Sequence, residues 1–332
     1  MRYLFLLSGQ NTRLALEEAK ALFSAGKMEE HSSGILLVNE NSRTVKRYGP
    51  MLGYTKAVHQ VLFESTIHDL PSSIRTYNWK PISKGTFCVR VSEISGKAAI
   101  SEKEIASLLW KKISSPKVDL SHPDHQLVFF FLKKRVFATR LLFTIDRDVR
   151  HRMPHLWPKP HPTSLHPLLA RAFINLTGIR RGTLTDPFCG SGGILIEAGL
   201  MGLSPRGYDI DKEMLEKARI NLQKFHLNAD LIQKDARALN SPASNIVSDL
   251  PYGRNTRHVQ LSLLCNSFLL CLRKILRHRA VLSFPLFPGK NLDYQRILHE
   301  NGFRILFRFN HYLHKTLSKE VFVLEPYSDS NS

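Results

Sequence analysis

At 332 residues the chain is long enough for two or three domains, and its 43% apolar content is that of a globular protein with a real core. No stretch approaches 18 uncharged apolar residues, which argues against a transmembrane helix; Cys88, Cys189, Cys265 and Cys271 lack C-x-x-C spacing, and the 15 histidines lack an H-E-x-x-H pair, so no metal site is expected and the cysteines suit a reducing compartment. Lys and Arg number 47 against 28 Asp and Glu, and the resulting net charge of +19 is spread over both halves, which favours a nucleic-acid partner over a small acidic metabolite.

The apolar run after Met1 is only about five residues long, and Glu17 and Glu18 follow closely, so it reads as a first strand rather than a signal peptide. With no leader or span, a cytoplasmic location is expected. Residues 1–52 read as a small α+β subdomain: strand Tyr3–Leu7, helix Arg13–Ala25 and strand Ile35–Val38. Residues 53–145 form a second unit, with a strand at Phe87–Val91, a helix at Glu102–Lys112, and strands Leu127–Leu132 and Val136–Phe143. The last two meet at Lys133-Lys134-Arg135, a tip that reads equally as a phosphate contact or as solubility insurance on an exposed turn. Prolines 154, 158, 160, 162 and 167 then stop any helix, and 146–165 reads as a semi-rigid linker.

From residue 166 to 328, strands alternate with helices in the manner of a doubly wound sheet. Strands are predicted at Thr183–Asp186, Arg206–Asp209, Asp230–Gln233, Asn245–Asp249 and Ala280–Phe284, and helices at Ile194–Met201, Lys212–Phe225 and Val259–Leu276. Phe303–Tyr312 and Glu320–Glu325 look like two strands with no helix between them. A terminal hairpin after five parallel strands is the ordering of S-adenosylmethionine-dependent methyltransferases, whereas a dinucleotide fold would continue with a further strand–helix–strand.

The first strand leads into Thr185-Asp186-Pro187-Phe188-Cys189-Gly190-Ser191-Gly192-Gly193. Glycines let the backbone approach a ligand closely, and the helix N-terminus attracts a carboxylate. The spacing is G-x-G-G rather than G-x-G-x-x-G, and Asp186 would repel a pyrophosphate but suits the ammonium of a methionine moiety. Asp209, closing the second strand, is placed for the two ribose hydroxyls of an adenosine, Asp211 for a helix N-cap, and Asp235 for the adenine amine. Phe188, Gly190, Gly192, Ile210 and Ala236 complete the expected cofactor-binding set. The fourth strand ends in Asp249-Leu250-Pro251-Tyr252, followed by Gly253. An amine conjugated to a base is a poor nucleophile because its lone pair is delocalised. Asp249 and the Leu250 carbonyl would accept its two N–H protons, Pro251 would stiffen the turn, and Tyr252 would stack on the base.

These motifs resemble the archaeal-type tRNA guanosine N2-methyltransferases. The resemblance rests on Asp186-Pro-Phe-Cys-Gly-Ser-Gly-Gly-Ile-Leu-Ile-Glu-Ala198, Gly207-Tyr-Asp-Ile-Asp211, Asp249-Leu-Pro-Tyr-Gly253, Pro162-Thr-Ser-Leu-His-Pro-Leu-Leu-Ala-Arg171 with Asn175-Leu176, and Val118-Asp-Leu-Ser-His-Pro-Asp124. It implies an α/β chain in which a Rossmann-like, seven-stranded methyltransferase domain with an antiparallel last strand follows an N-terminal THUMP-containing RNA-binding region. It implies N2-methylation of the guanosine at tRNA position 10 with S-adenosyl-L-methionine as cofactor and tRNA as partner; neither membrane nor metal is expected, and the oligomeric state carries no sequence signal, a monomer being compatible with it. Asp249 and the Leu250 carbonyl would hold the guanine N2 amine of a flipped base. Lys133, Lys134, Arg135, Arg254 and Arg257 are candidate RNA contacts. Related enzymes usually carry D/N-P-P-Y/F; Leu250 departs from this, but only its carbonyl is required. Two alternatives stand beside this reading: a guanosine at tRNA position 6 or in ribosomal RNA, and a non-catalytic RNA-binding protein with a vestigial methyltransferase fold.

Overall fold

The computed structural model describes all residues except 25, 32–33, 96, 99, 252–257, 287–291, 315–316 and 328–332. The chain divides into two units, one made of Met1–Thr12, Ala25–Pro50 and Tyr54–Asp146, the other of Arg13–Ser24, Met51–Gly53 and Arg147–Ser332.

In chain order the elements begin with β1 (Arg2–Leu7), α1 (Thr12–Leu22), β2 (Lys27–His31), β3 (Ile35–Asn39), α2 (Ser42–Tyr48), β4 (Thr55–Thr66) and α3 (Leu70–Thr76). There follow β5 (Phe87–Glu93), α4 (Glu102–Trp110), β6 (His125–Leu132) and β7 (Arg135–Thr144). The strands of the first unit form one sheet in the order β2-β3-β1-β4-β7-β6-β5. β1 lies antiparallel to β4, so the sheet runs across the expected boundary at residues 52 and 53 and makes one body of the two expected N-terminal segments. From Leu127 to Leu132, β6 is apolar at every position and buried on both faces. Leu127, Phe129 and Phe131 pack with Ile105 and Leu109 of α4, and the alternate residues Val128, Phe130 and Leu132 pack with Leu4 and Leu37. α4 starts at a capping box, with Ser101 Oγ accepting from the Glu104 N–H and Glu104 Oε2 from the Ser101 N–H.

The second unit contains α5 (Pro167–Leu176), β8 (Thr183–Asp186), α6 (Gly193–Leu200), β9 (Ser204–Asp209), α7 (Lys212–Lys224), β10 (Asp230–Gln233), β11 (Ala243–Asp249), α8 (His258–Ile275), β12 (Leu276–Leu286), α9 (Tyr294–Glu300), β13 (Phe303–His314) and β14 (Leu317–Pro326). Its sheet order is β10-β9-β8-β11-β12-β14-β13. β14 runs antiparallel to both β12 and β13, while the neighbouring pairs from β10 to β12 are parallel. This is the α/β fold with an antiparallel last strand. α8 buries Cys265, Phe268, Leu269 and Leu272 against Ile246 of β11 and Ala280 and Leu282 of β12.

Helix α1 groups with this unit rather than with the strands that flank it in sequence. The buried Glu18 Oε1 accepts hydrogen bonds from Asn175 Nδ2 at 2.7 Å and from the Gly53 N–H at 2.6 Å, and Arg180 donates to the Leu22 carbonyl. The expected linker is also part of the unit from Arg147 onward. Trp157 is buried against Leu195, Ile196 and Leu222, and the Asn221 side chain accepts from the Lys159 N–H and donates to the Lys159 and Ser191 carbonyls. Arg152 and Arg171 both meet Glu197 of α6, whose side chain is 2% exposed. Proline density here produces a strap with its own tertiary partners, not a free spacer.

Candidate active site

Parallel strands leave their carboxyl ends, and the loops that follow, along one edge of the sheet, where α/β folds bind ligands. Asp186, Asp209 and Asp249 are the last residues of β8, β9 and β11, and Asp235 follows β10. Asp209, Asp235 and Asp249 line a cavity of about 380 Å³. Asp186 lines an adjoining pocket that shares Phe188, Gly190 and Asp249 with the first. The four strand-end acids of the sequence therefore converge on one region.

Two glycines are required for this geometry. Gly192, just before α6, has φ +90°, which a side chain would strain. Gly207 has an ordinary φ, but a Cβ there would stand 2.5 Å from Leu195 Cδ1 and 2.9 Å from Cys189 Sγ. Its bareness lets the glycine turn lie against β9, where the Cys189 N–H donates to the Tyr208 carbonyl.

The acids differ in their surroundings. Asp186 is 1% exposed, and its Oδ1 accepts from Ser248 Oγ at 2.6 Å and from the Phe188 N–H at 3.1 Å. Burial pushes its carboxyl up to about 7 against the pull of those two donors, and the charges of Asp249 and Asp209 add to the rise. Asp209 receives the Gly190 N–H on Oδ2 and the Asp211 N–H on Oδ1, both at 2.9 Å, which fixes its rotamer. Asp211 caps α7 by accepting from the Glu213 N–H, the role expected for it. Asp235 is engaged by Arg237 of its own turn, whose guanidinium bonds hold the carboxyl below the usual range.

Asp249 is set apart by a buried cation. Burial pushes its carboxyl up, and Lys319 of β14 opposes the rise through an ion pair on Oδ2. The Ser283 hydroxyl beside it also helps, yet neither Ser283 Oγ nor Asp249 Oδ1 completes a well-aligned hydrogen bond. A buried acceptor left this way costs roughly 1–3 kcal/mol unless a ligand donor satisfies it. Leu250 is fully buried, and its N–H donates to the Ser283 carbonyl, which fixes the turn; Pro251 is exposed at the cavity edge. Tyr252, Arg254 and Arg257 lie outside the described residues.

Of the remaining expected site residues, Phe188, Gly190, Ile210 and Ala236 line the cavity, and Gly192 stands at the head of α6. Ile210 keeps 65% exposure and joins Phe188, Met214 and Leu264 in the apolar part of the lining, beside the carboxylates of Asp209 and Asp235. Such an apolar lining beside paired carboxylates fits a nucleoside with a cationic tail. Sequence reasoning missed His161, Thr163 and Met214, which also line the cavity, and Lys319 behind it. Thr163 sat inside a matching motif and His161 directly before it, but both were read as linker; nothing in the sequence set Lys319 apart from other strand lysines. In the first unit, Lys133 and Lys134 are exposed at the β6–β7 turn, with Lys133 at φ +49°. Arg135 is instead held by Glu64 and Glu29, a pairing shared with Arg2. Among the described residues there is no cluster of His, Cys, Asp and Glu able to hold a metal, and no helix is long and apolar enough to cross a membrane.

Residues 154–317 match the family described as RMKL-like, methyltransferase domain. The chain is 31% identical over 330 residues to the tRNA (guanine(10)-N2)-dimethyltransferase of Pyrococcus abyssi, covering 94% of this chain and 96% of that one. It is 29% identical over 338 residues to the enzyme of the same name from Methanothermobacter thermautotrophicus, covering 98% and 99%. The crystal structure of TrmN from Thermus thermophilus shares the fold, with a TM-score of 0.51 at 20% identity over 98% of this chain and 100% of that one. With its strand-end acids, its antiparallel last strand and relatives matched along nearly its whole length, the chain belongs to the tRNA (guanine(10)-N2)-dimethyltransferase family.

Proposed function

We propose that this chain transfers methyl groups from S-adenosyl-L-methionine to N2 of the guanosine at tRNA position 10, giving N2-methylguanosine and then N2,N2-dimethylguanosine. The observation that carries the proposal is the buried Asp249 carboxylate, opening on the same cavity as Asp209 and Asp235 behind the Leu250-Pro251 turn. The bound cofactor supplies an electrophilic methyl on a sulfonium. In this reading Asp186 faces its ammonium, Asp209 its ribose hydroxyls, and Asp235 and the Ala236 backbone its adenine. Phe188 and Ile210 cover the ring, while Gly190 and Gly192 let the backbone close on the methionine end. Asp249 and the Leu250 carbonyl accept the two N–H protons of N2, turning its lone pair toward the methyl, and Tyr252 stacks on the flipped base. Asp249 stabilises the charge that develops on N2 as the N–C bond forms, and receives the proton that N2 gives up. We assign the first unit, which contains the expected segment 53–145 apart from Gly53, to a THUMP-containing RNA-binding region, with Lys133 and Lys134 on phosphates, in a cytoplasmic enzyme. Arg254 and Arg257 are proposed to hold phosphates beside the target base.

The test is incubation of an unmodified tRNA transcript with labelled cofactor, followed by nucleoside mass spectrometry and position mapping. Label on guanine N2 at position 10 is expected. Label at position 6 alone, or on ribosomal RNA but not tRNA, would move the substrate, and absence of cofactor binding by calorimetry would make the fold vestigial. Asp249→Ala is expected to lower kcat by roughly 10²–10⁴-fold with cofactor affinity little changed; full activity would remove Asp249 from the mechanism.

A further inference from the structure

A lysine that is 1% exposed is a costly residue to bury, and Lys319 lies in the antiparallel strand β14, outside every sequence motif of the site. Its ammonium meets Asp249 Oδ2. Alternation along β14 separates it from Glu320, which turns to Arg308 instead. In register, Lys319 stands opposite Pro285 of β12 and His311 of β13, while Asp249 pairs with Ser283 of β12. The fold thus brings β14 in antiparallel beside β12 and sends one cation from it to the acid that ends β11.

We infer that Lys319 is the positioning residue for Asp249: it keeps the carboxylate ionised and fixed through Oδ2, so that Oδ1 is presented to the substrate amine. The inference rests on the reading of Asp249 as the amine acceptor. Among the described residues, the charged groups around the pair are Asp186 of β8, whose carboxyl is raised by burial and further by the charges of Asp249 and Asp209, and His311 of β13, which feels both Lys319 and His166. Asp186 disfavours a second anion beside it, and among the described residues Lys319 is the cation in contact with Asp249 that opposes this. Without it, the buried carboxyls of Asp186 and Asp249 would face each other with no opposing cation, and Asp249 would hold its proton more readily. A protonated Asp249 accepts poorly from an N–H donor and cannot take the proton released from N2.

Lys319→Met keeps the unbranched apolar stem and removes the charge; Lys319→Arg keeps the charge. Single-turnover methylation of a tRNA transcript at saturating cofactor is followed across the pH range, and the Asp249 carboxyl carbon is titrated by carbon-13 NMR in the protein without cofactor or RNA. The Asp249 signal is assigned by its loss in Asp249→Asn. Removing an adjacent cation raises a carboxyl pKa by roughly one to three units. Both the acid limb and the NMR midpoint are therefore expected to move up by that amount in Lys319→Met and to stay near wild type in Lys319→Arg. A folded Lys319→Met whose two midpoints do not move overturns the inference, even if its rate is uniformly lower, because that is the signature of a purely structural ion pair. Lys319→Gln serves as the neutral variant if the methionine does not fold. If Asp249→Ala retains activity, the amine-holding reading fails instead, and the NMR titration still reports whether Lys319 governs the carboxyl.

Discussion

Replacing Glu197 by Gln would remove one negative charge from a site where two guanidinium groups converge. Arg152 Nε donates to Glu197 Oε1 at 2.7 Å and Arg171 Nη2 stands 3.0 Å from Oε2; the three side chains are 6%, 12% and 2% exposed for Arg152, Arg171 and Glu197. Arg152 Nη2 already lacks a partner, so its charge depends heavily on this carboxylate. Removing one member of a buried pair costs about 3–5 kcal/mol, because the remaining charge stays desolvated. Arg171 reaches some solvent, which places the expected loss near the lower end, about 3 kcal/mol. At about 2–4 °C per kcal/mol for a unit of this size, the midpoint of thermal unfolding should fall by about 6–12 °C. Calorimetric or circular-dichroism melts measure this directly, with urea titration giving the free energy. Because the strap held by Arg152 also carries His161 and Thr163 into the cavity, cofactor affinity should weaken in the same variant. The double variant Arg152→Met/Glu197→Gln should recover part of the loss, since it leaves one buried cation instead of two. A fall of less than about 2 °C for Glu197→Gln, or a double variant that is simply worse, would refute the claim that charge compensation anchors the strap.

Two further outcomes are expected. Asp186, with its carboxyl raised to about 7, is protonated in the folded protein and ionised in the unfolded chain between the ordinary carboxyl value and 7, so it lowers stability as pH rises through that window. Cofactor affinity measured by calorimetry between pH 5.5 and 7.5 should rise as Asp186 ionises to meet the ammonium, and Asp186→Asn should bind weakly with a flat profile; a flat wild-type profile would remove Asp186 from that role. Replacing both Lys133 and Lys134 by Ala should raise the Kd for tRNA and lower the salt slope by about one for each phosphate no longer neutralised, with the melting temperature unchanged, whereas Arg135→Ala should lower the melting temperature because it breaks pairs with Glu64 and Glu29. Unchanged filter binding in the double lysine variant would assign that hairpin to solubility alone.

The legible parts of the sequence were those where local pattern and tertiary role coincide. Thr183–Asp186 and Asp230–Gln233 are strands at the residues expected, because each begins in a turn and ends on an acid or just before one. Helix α7 was visible through its Asp211 cap and apolar spacing. β4 escaped notice because register shifts between Val58 and His59 and between Val61 and Phe63 break the two-residue alternation that marks a strand. α9 spans seven residues, too few for a helical period to declare itself. The division at residues 52 and 53 gave way because β1 finds β4 across about fifty residues of chain, a pairing that no local window contains. At the site, Asp186, Asp209 and Asp249 could be read because each stands within two residues of a glycine or proline, and Asp235 because it follows the end of the third strand. Lys319 could not, since its burial follows only from the antiparallel insertion of β14.

The assignment of α1 to the C-terminal unit has a consequence for dissecting and folding the protein. The chain passes between the two units at residues 12, 24, 50, 53 and 146, so no single cut separates them. A fragment starting at Arg147 would lack Glu18, leaving the Asn175 amide without its buried carboxylate, and would lack the Leu22 carbonyl that receives Arg180. During synthesis α1 emerges some 150 residues before α5, its packing partner through Asn175, so the helix must wait for most of the chain before it can dock. The catalytic half is thus completed by a piece of sequence made almost first, which makes the two halves a single folding problem rather than two modules on a string.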